Sequence, residues 1–106
     1  MDTIHPNVGV TREQIAAFCE KWKITQFELF GSVLRDDFGP ESDVDVLVSF
    51  APGAGPKLRA LLDMEDELAR MFGRHVDLVE RRLVEQNANW IRRRNILSTA
   101  RRVYAA

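Results

Sequence analysis

Residues 29–50 read LFGSVLRDDFGPESDVDVLVSF. This stretch holds the end of one apolar run, a Gly-Ser break, a polar loop and a second apolar run that opens on two carboxylates, Asp43 and Asp45. The runs 24–30 and 44–50 are rich in β-branched and aromatic residues and predict two strands, with one or two helical turns in the SVLRDDF segment between them. Side chains two apart on a strand share a face, so Asp43 and Asp45 project together.

Upstream, Thr11 and Gln14 have capping-box spacing, Val10 and Ile15 suit a hydrophobic staple, and Ile15, Phe18, Cys19 and Trp22 recur with helical period. Downstream, the breaker run APGAGP is followed by a predicted helix over 57–72. Leu58, Leu61, Leu62, Leu68 and Phe72 form its apolar stripe, Glu65 interrupts that stripe, and Gly73 stops the helix. Glu65 and its neighbours Asp63, Asp66 and Glu67 read as solvated helix surface. HVDLV at 75–79 predicts a third strand with His75, Asp77 and Val79 on one face, and a basic helix is expected over 89–104 with Leu97, Ala100 and Tyr104 toward the core. The order α-β-α-β-α-β-α predicts an α+β fold in one domain, 1–106: a small mixed β-sheet with helices packed mainly on one face, its strand directions left open.

Composition narrows the class. With 45% hydrophobic and 29% charged residues, the chain is an ordinary globular one without low-complexity tracts or repeats. It has neither a signal-peptide pattern nor an apolar run near the ~20 residues that span a bilayer, so a cytoplasmic protein without membrane contact is expected. The single cysteine, Cys19, falls on the apolar face of a helix and is expected to be buried. Net charge is −1, but residues 1–80 hold 8 Lys+Arg against 15 Asp+Glu, whereas residues 81–106 hold seven arginines against Glu85 alone. Such a basic end suits a solvated helix face or an acidic protein partner. With a sequence pI ≈ 6.1 and no continuous basic footprint, direct binding of nucleic acid is not expected.

If the second and third strands are neighbours, Asp43, Asp45 and Asp77 converge. Three crowded anions raise each other's pKa unless a cation lies between them, and hard oxygen donors suit Mg²⁺ or Mn²⁺. In isolation, Asp-x-Asp more often caps a turn or tips a strand into solvent. Gly31-Ser32, a glycine that permits close backbone approach followed by a hydroxyl and outward N–H groups, suits a phosphate, although such a pair is also a common strand-ending turn.

Together, Gly31-Ser32, ten residues, Asp43-x-Asp45 and a later strand Asp77 resemble the signature of the nucleotidyltransferase superfamily that includes DNA polymerase β, and within it the minimal nucleotidyltransferases. The resemblance covers nearly the whole chain. It implies a polymerase β palm-like fold and transfer of a nucleoside monophosphate, usually from ATP, to an acceptor hydroxyl with release of pyrophosphate. It implies Gly31 and Ser32 as the phosphate-binding pair, Asp43 and Asp45 as shared metal ligands, and Asp77 as a third ligand beside the acceptor, the three acids forming the catalytic set. Arg35 also matches a family position, where it either grips a phosphate or pairs with an acid such as Asp37. Ser42 is expected to order the loop, and His75 to face solvent or support a ligand rather than bind metal.

Larger relatives carry an acceptor-binding domain, for which this sequence leaves no length. Minimal members are typically partnered with a helical HEPN-type toxin as antitoxins, and some attach AMP to a tyrosine of it. The competing expectations are an antitoxin that neutralises by binding alone and a stand-alone enzyme acting on a small molecule or RNA.

Overall fold

The structure, a computed structural model, describes residues 2–39 and 41–106. Helix α1 (Arg12–Trp22) begins at Thr11, whose hydroxyl accepts from the Gln14 N–H at 3.2 Å while the Gln14 side chain accepts from the Thr11 N–H at 2.8 Å, the capping box expected from the sequence. Such caps contribute about 1 kcal/mol. The helix stops at Lys23, in the left-handed conformation (φ 59°), and strand β1 (Ile24–Phe30) starts at the next residue. Phe18 of α1 meets Phe27 of β1 edge-on, with ring centroids 6.3 Å apart.

After β1 the chain makes one 3-10 turn, Gly31–Leu34, and returns as β2 (Val44–Phe50), antiparallel to β1 with Phe30 opposite Asp45. Helix α2 (Leu58–Phe72), closed by Gly73 at φ 71°, carries the chain over to β3 (Val76–Glu80), which lies parallel to β2. Two short helices follow, α3 (Arg81–Glu85) and α4 (Trp90–Thr99), and then β4 (Arg101–Ala105), antiparallel to β1. The sheet order is β3-β2-β1-β4. No helix among the described residues is long and apolar enough to cross a membrane.

The alternation in the strands sorts the two faces of the sheet. Phe27, Leu29, Val46, Val48 and Val76 point to one side and are buried against Ile15, Phe18 and Cys19 of α1 and Met64 and Leu68 of α2. This is the core, and both long helices lie on that face as expected. Burial pushes the Cys19 thiol up to about 12, so it stays a neutral apolar group. Glu28, Phe30, Asp45, Leu47 and Asp77 fall on the other face, which α3 and α4 only partly cover. The site grows from this second face.

One expectation is corrected. The basic segment is not one helix to Tyr104: at Ala100 the backbone turns extended (ψ 135°), and residues 101–105 pair with β1 instead. The reason is energetic. No residue of α4 is buried, so helix continuation gains little, whereas Val103 and Tyr104 are good β-formers that pack on the core once they close the free edge of β1. The SVLRDDF segment gives one helical turn, within the one or two expected; it is of 3-10 type, and Arg35 is already extended at ψ 157°.

Candidate active site

Parallel pairing of β2 and β3 brings the acids together. Asp45 and Asp77 are register partners, and the bond from Val44 N–H to the His75 carbonyl (3.0 Å) sets Asp43 beside His75. The Nδ1 atom of His75 lies 3.5 Å from Oδ2 of Asp43. One ligand atom from each of Asp43, His75 and Asp77 lies within 4.8 Å of the others. These three are exposed, and Asp45 is half-buried beside them.

Asp45 explains Gly31. Gly31 has φ 77°, which disfavours any L side chain, and a Cβ built on it would stand 2.3 Å from Oδ2 of Asp45. The glycine therefore makes room for a carboxylate of the protein itself, where the sequence suggested close approach by phosphate alone. Burial pushes the Asp45 carboxyl above its ordinary value, the charges of Asp77 and Asp43 push it further, and Arg92 and His75 oppose them. A site that disfavours its own charge suits a cation, and the oxygen donors of Asp43, Asp45 and Asp77 fit a hard divalent ion.

Ser32 donates its hydroxyl to the Asp43 carbonyl at 3.3 Å, tying the turn after β1 to the entry of β2. The helix expected behind it is four residues of 3-10 turn. Arg35 is exposed and makes no ion pair among the described residues, so the expected alternative of a bond to Asp37 is not formed. Ser42 orders the loop as expected, accepting from the Gly39 N–H at 3.2 Å.

Several supports carried weak sequence signals or none. Arg74 donates to the carbonyls of Gly39 (2.8 Å) and Ser42 (3.1 Å) and lies over the Phe38 ring, fastening the loop that leads to Asp43 to the end of α2. Glu65 corrects its assignment to solvated surface: it accepts from the Leu78 N–H at 2.9 Å, on the residue after Asp77. It thus satisfies a backbone donor of the edge strand β3. Its place on an otherwise apolar stripe was the available signal. Glu67 is also engaged, accepting from Lys21 (2.7 Å) and the Trp22 indole (3.2 Å).

Residues 11–103 match the model of the nucleotidyltransferase domain family. The chain is a nucleotidyltransferase. This nucleotidyltransferase is 33% identical over 79 residues to a Methanocaldococcus jannaschii protein named as a protein adenylyltransferase, across 74% of this chain and 79% of that protein. Among solved structures it is similar to one described as a minimal nucleotidyltransferase, with TM-score 0.64 and 29% identity over 84% of this chain and 85% of that one. It also shares its fold with a chain from a complex of a tri-AMPylated Shewanella oneidensis HEPN toxin with an MNT antitoxin, with TM-score 0.61 and 20% identity over 90% of this chain and 70% of that one. The resemblance read from the Gly-Ser and Asp-x-Asp spacing is borne out at the level of family, fold and transferase class.

Gly31→Ala in this nucleotidyltransferase tests the contact with Asp45. The positive φ alone costs about 1–2 kcal/mol, and the added methyl must also displace the carboxylate. The expected result is a lower denaturation midpoint together with a loss of transfer larger than the unfolded fraction explains. Unchanged transfer in the folded variant would show that the Asp45 carboxylate need not stay where Gly31 lets it sit.

Proposed function

We propose that this nucleotidyltransferase moves an adenylyl group from ATP to a hydroxyl of a helical HEPN-type protein, acting as the antitoxin of a toxin–antitoxin pair. The observation that carries the chemistry is the register of β2 and β3, which sets Asp77 beside Asp45 and Asp43 next to the Gly31-Ser32 turn. The donor and the acceptor are supported by similarity to a protein named as a protein adenylyltransferase and, for the shared fold, to a chain solved with an AMPylated HEPN toxin.

Asp43, Asp45 and Asp77 would hold Mg²⁺ or Mn²⁺, which when bound supplies charge neutralisation for the triphosphate and the leaving pyrophosphate. The chain's own residues position the reactants. The backbone at Gly31 and Ser32 lies against the acids, where a phosphate bound to it would be close to all three carboxylates, and the Arg35 guanidinium, in no ion pair among the described residues, offers a fork to phosphate oxygens. The acceptor oxygen bonds to the α-phosphorus as the bond from that phosphorus to the bridging oxygen of pyrophosphate breaks. The acceptor's proton passes to an Asp77 carboxylate oxygen, exposed and able to release it to water.

The test is incubation with Mg²⁺, a helical HEPN-type partner and ATP labelled at the α-phosphate. Label is expected on a partner hydroxyl with release of pyrophosphate. A partner that is bound and neutralised without label would replace the transferase reading with neutralisation by occlusion.

A further inference from the structure

The sequence leaves the basic C-terminal segment as either a solvated face or a partner surface, yet α4 also walls a cavity of about 620 Å³ that opens beside Gly31. Phe30, Leu34 and Ile96 supply apolar walls, with Arg35, Asn95 and Thr99 as the polar lining. Phe30 and Ile96 also border a second compartment of about 180 Å³, on the side of Val79 and Arg92, so α4 borders two neighbouring cavities on the acid-bearing face. Arg92 is close enough for its charge to be felt at Asp45.

A planar, largely apolar ring with a hydrogen-bonding edge suits the larger space. It can lie against Phe30 and Ile96 near the Gly31 end, within a nucleotide's length of phosphates held at Gly31-Ser32. Asn95 is exposed, and its side-chain amide has no protein partner among the described residues; its backbone carbonyl accepts from the Thr99 hydroxyl at 2.5 Å. A carboxamide offers one donor and one acceptor side by side, complementary to the adenine edge of N6 and N7, whereas guanine presents two acceptors there. Resting on the proposed function above, we propose that α4 forms the nucleobase site of this enzyme and that Asn95 selects adenine over guanine.

The test compares metal-dependent binding of ATP, GTP and tripolyphosphate, a probe without a base, to the full chain by calorimetry. The wild-type protein is expected to prefer ATP, and Asn95→Ala to weaken ATP roughly tenfold, the range of one bidentate base contact. That variant should erase most of the preference over GTP while tripolyphosphate binding stays the same. Ile96→Trp, which fills the cavity, should remove nucleotide binding and leave tripolyphosphate bound. Nucleotide binding that requires Asp45 but is indifferent to Asn95 and Ile96, or a preference for GTP read by Arg35, overturns the base site and leaves the proposed transfer standing. Absence of metal-dependent binding of any of the three probes overturns both.

Discussion

Asp45→Asn is expected to abolish transfer, by at least about 10²–10³-fold, while raising the melting temperature of the metal-free protein at neutral pH. The loss follows from position: Asp45 pairs in register with Asp77 and is the one half-buried member of the acid cluster, so its charge acts where water screens least. The gain in stability follows from the same geometry. Burial, Asp77 and Asp43 raise the Asp45 carboxyl above its ordinary 3.8, so the folded state binds this proton more tightly than the unfolded chain does. Its contribution to stability is complete below 3.8 and is lost as pH rises through the raised folded value. The melting-temperature gap between variant and wild type should therefore be small in acid and open above about pH 4. Added Mg²⁺ or Mn²⁺ with ATP should reverse it by stabilising only the wild type. Thermal scans across pH, with and without metal, check this. A variant that keeps full transfer would remove Asp45 from the reaction.

Arg81→Ala is expected to be the most destabilising change on the second face of the sheet. Glu28 sits mid-strand in β1 at 5% exposure, and its carboxylate is 2.5 Å from Nη1 of Arg81 at the start of α3. Removing the arginine leaves a buried carboxylate unpaired, a loss of about 3–5 kcal/mol. Against the roughly 5–15 kcal/mol that holds a domain together, that is a large fraction. The double change Glu28→Leu with Arg81→Leu should recover most of the loss, because it removes the stranded charge as well as its partner. Urea denaturation of the wild type and the two variants decides it. A loss below ~1 kcal/mol for Arg81→Ala would mean that water reaches Glu28.

Local signals carried much of the fold. The capping box at Thr11, the β-rich runs around Gly31-Ser32 and the stop at Gly73 placed α1, β1, β2 and α2 almost residue for residue, because each rests on contacts within a few positions. Spacing likewise singled out Asp43, Asp45 and Asp77. That Asp45 lies opposite Asp77 was not legible, because register is set by which strands become neighbours. The same holds for Glu28 and Arg81, 53 residues apart. The C-terminal segment misled for a different reason. Trp90–Thr99 has no strong apolar stripe, so the pattern gave no point at which helix should yield to strand, and only the open edge of β1 decides it.

From its place in the topology, that last strand is expected to join the sheet late. The β1–β2 hairpin and the α2–β3 crossover contain all their partners by residue 80, but β1 must wait for residues 101–105 before its second edge is filled. Closing a loop of that length is entropically slow compared with the hairpin. During synthesis the nascent chain therefore exposes one apolar strand, Ile24–Phe30, with a free row of backbone donors and acceptors, a template for pairing with another copy. Residues 101–105 cover the edge of the strand that leads into Gly31, the edge with which a neighbouring molecule would otherwise pair.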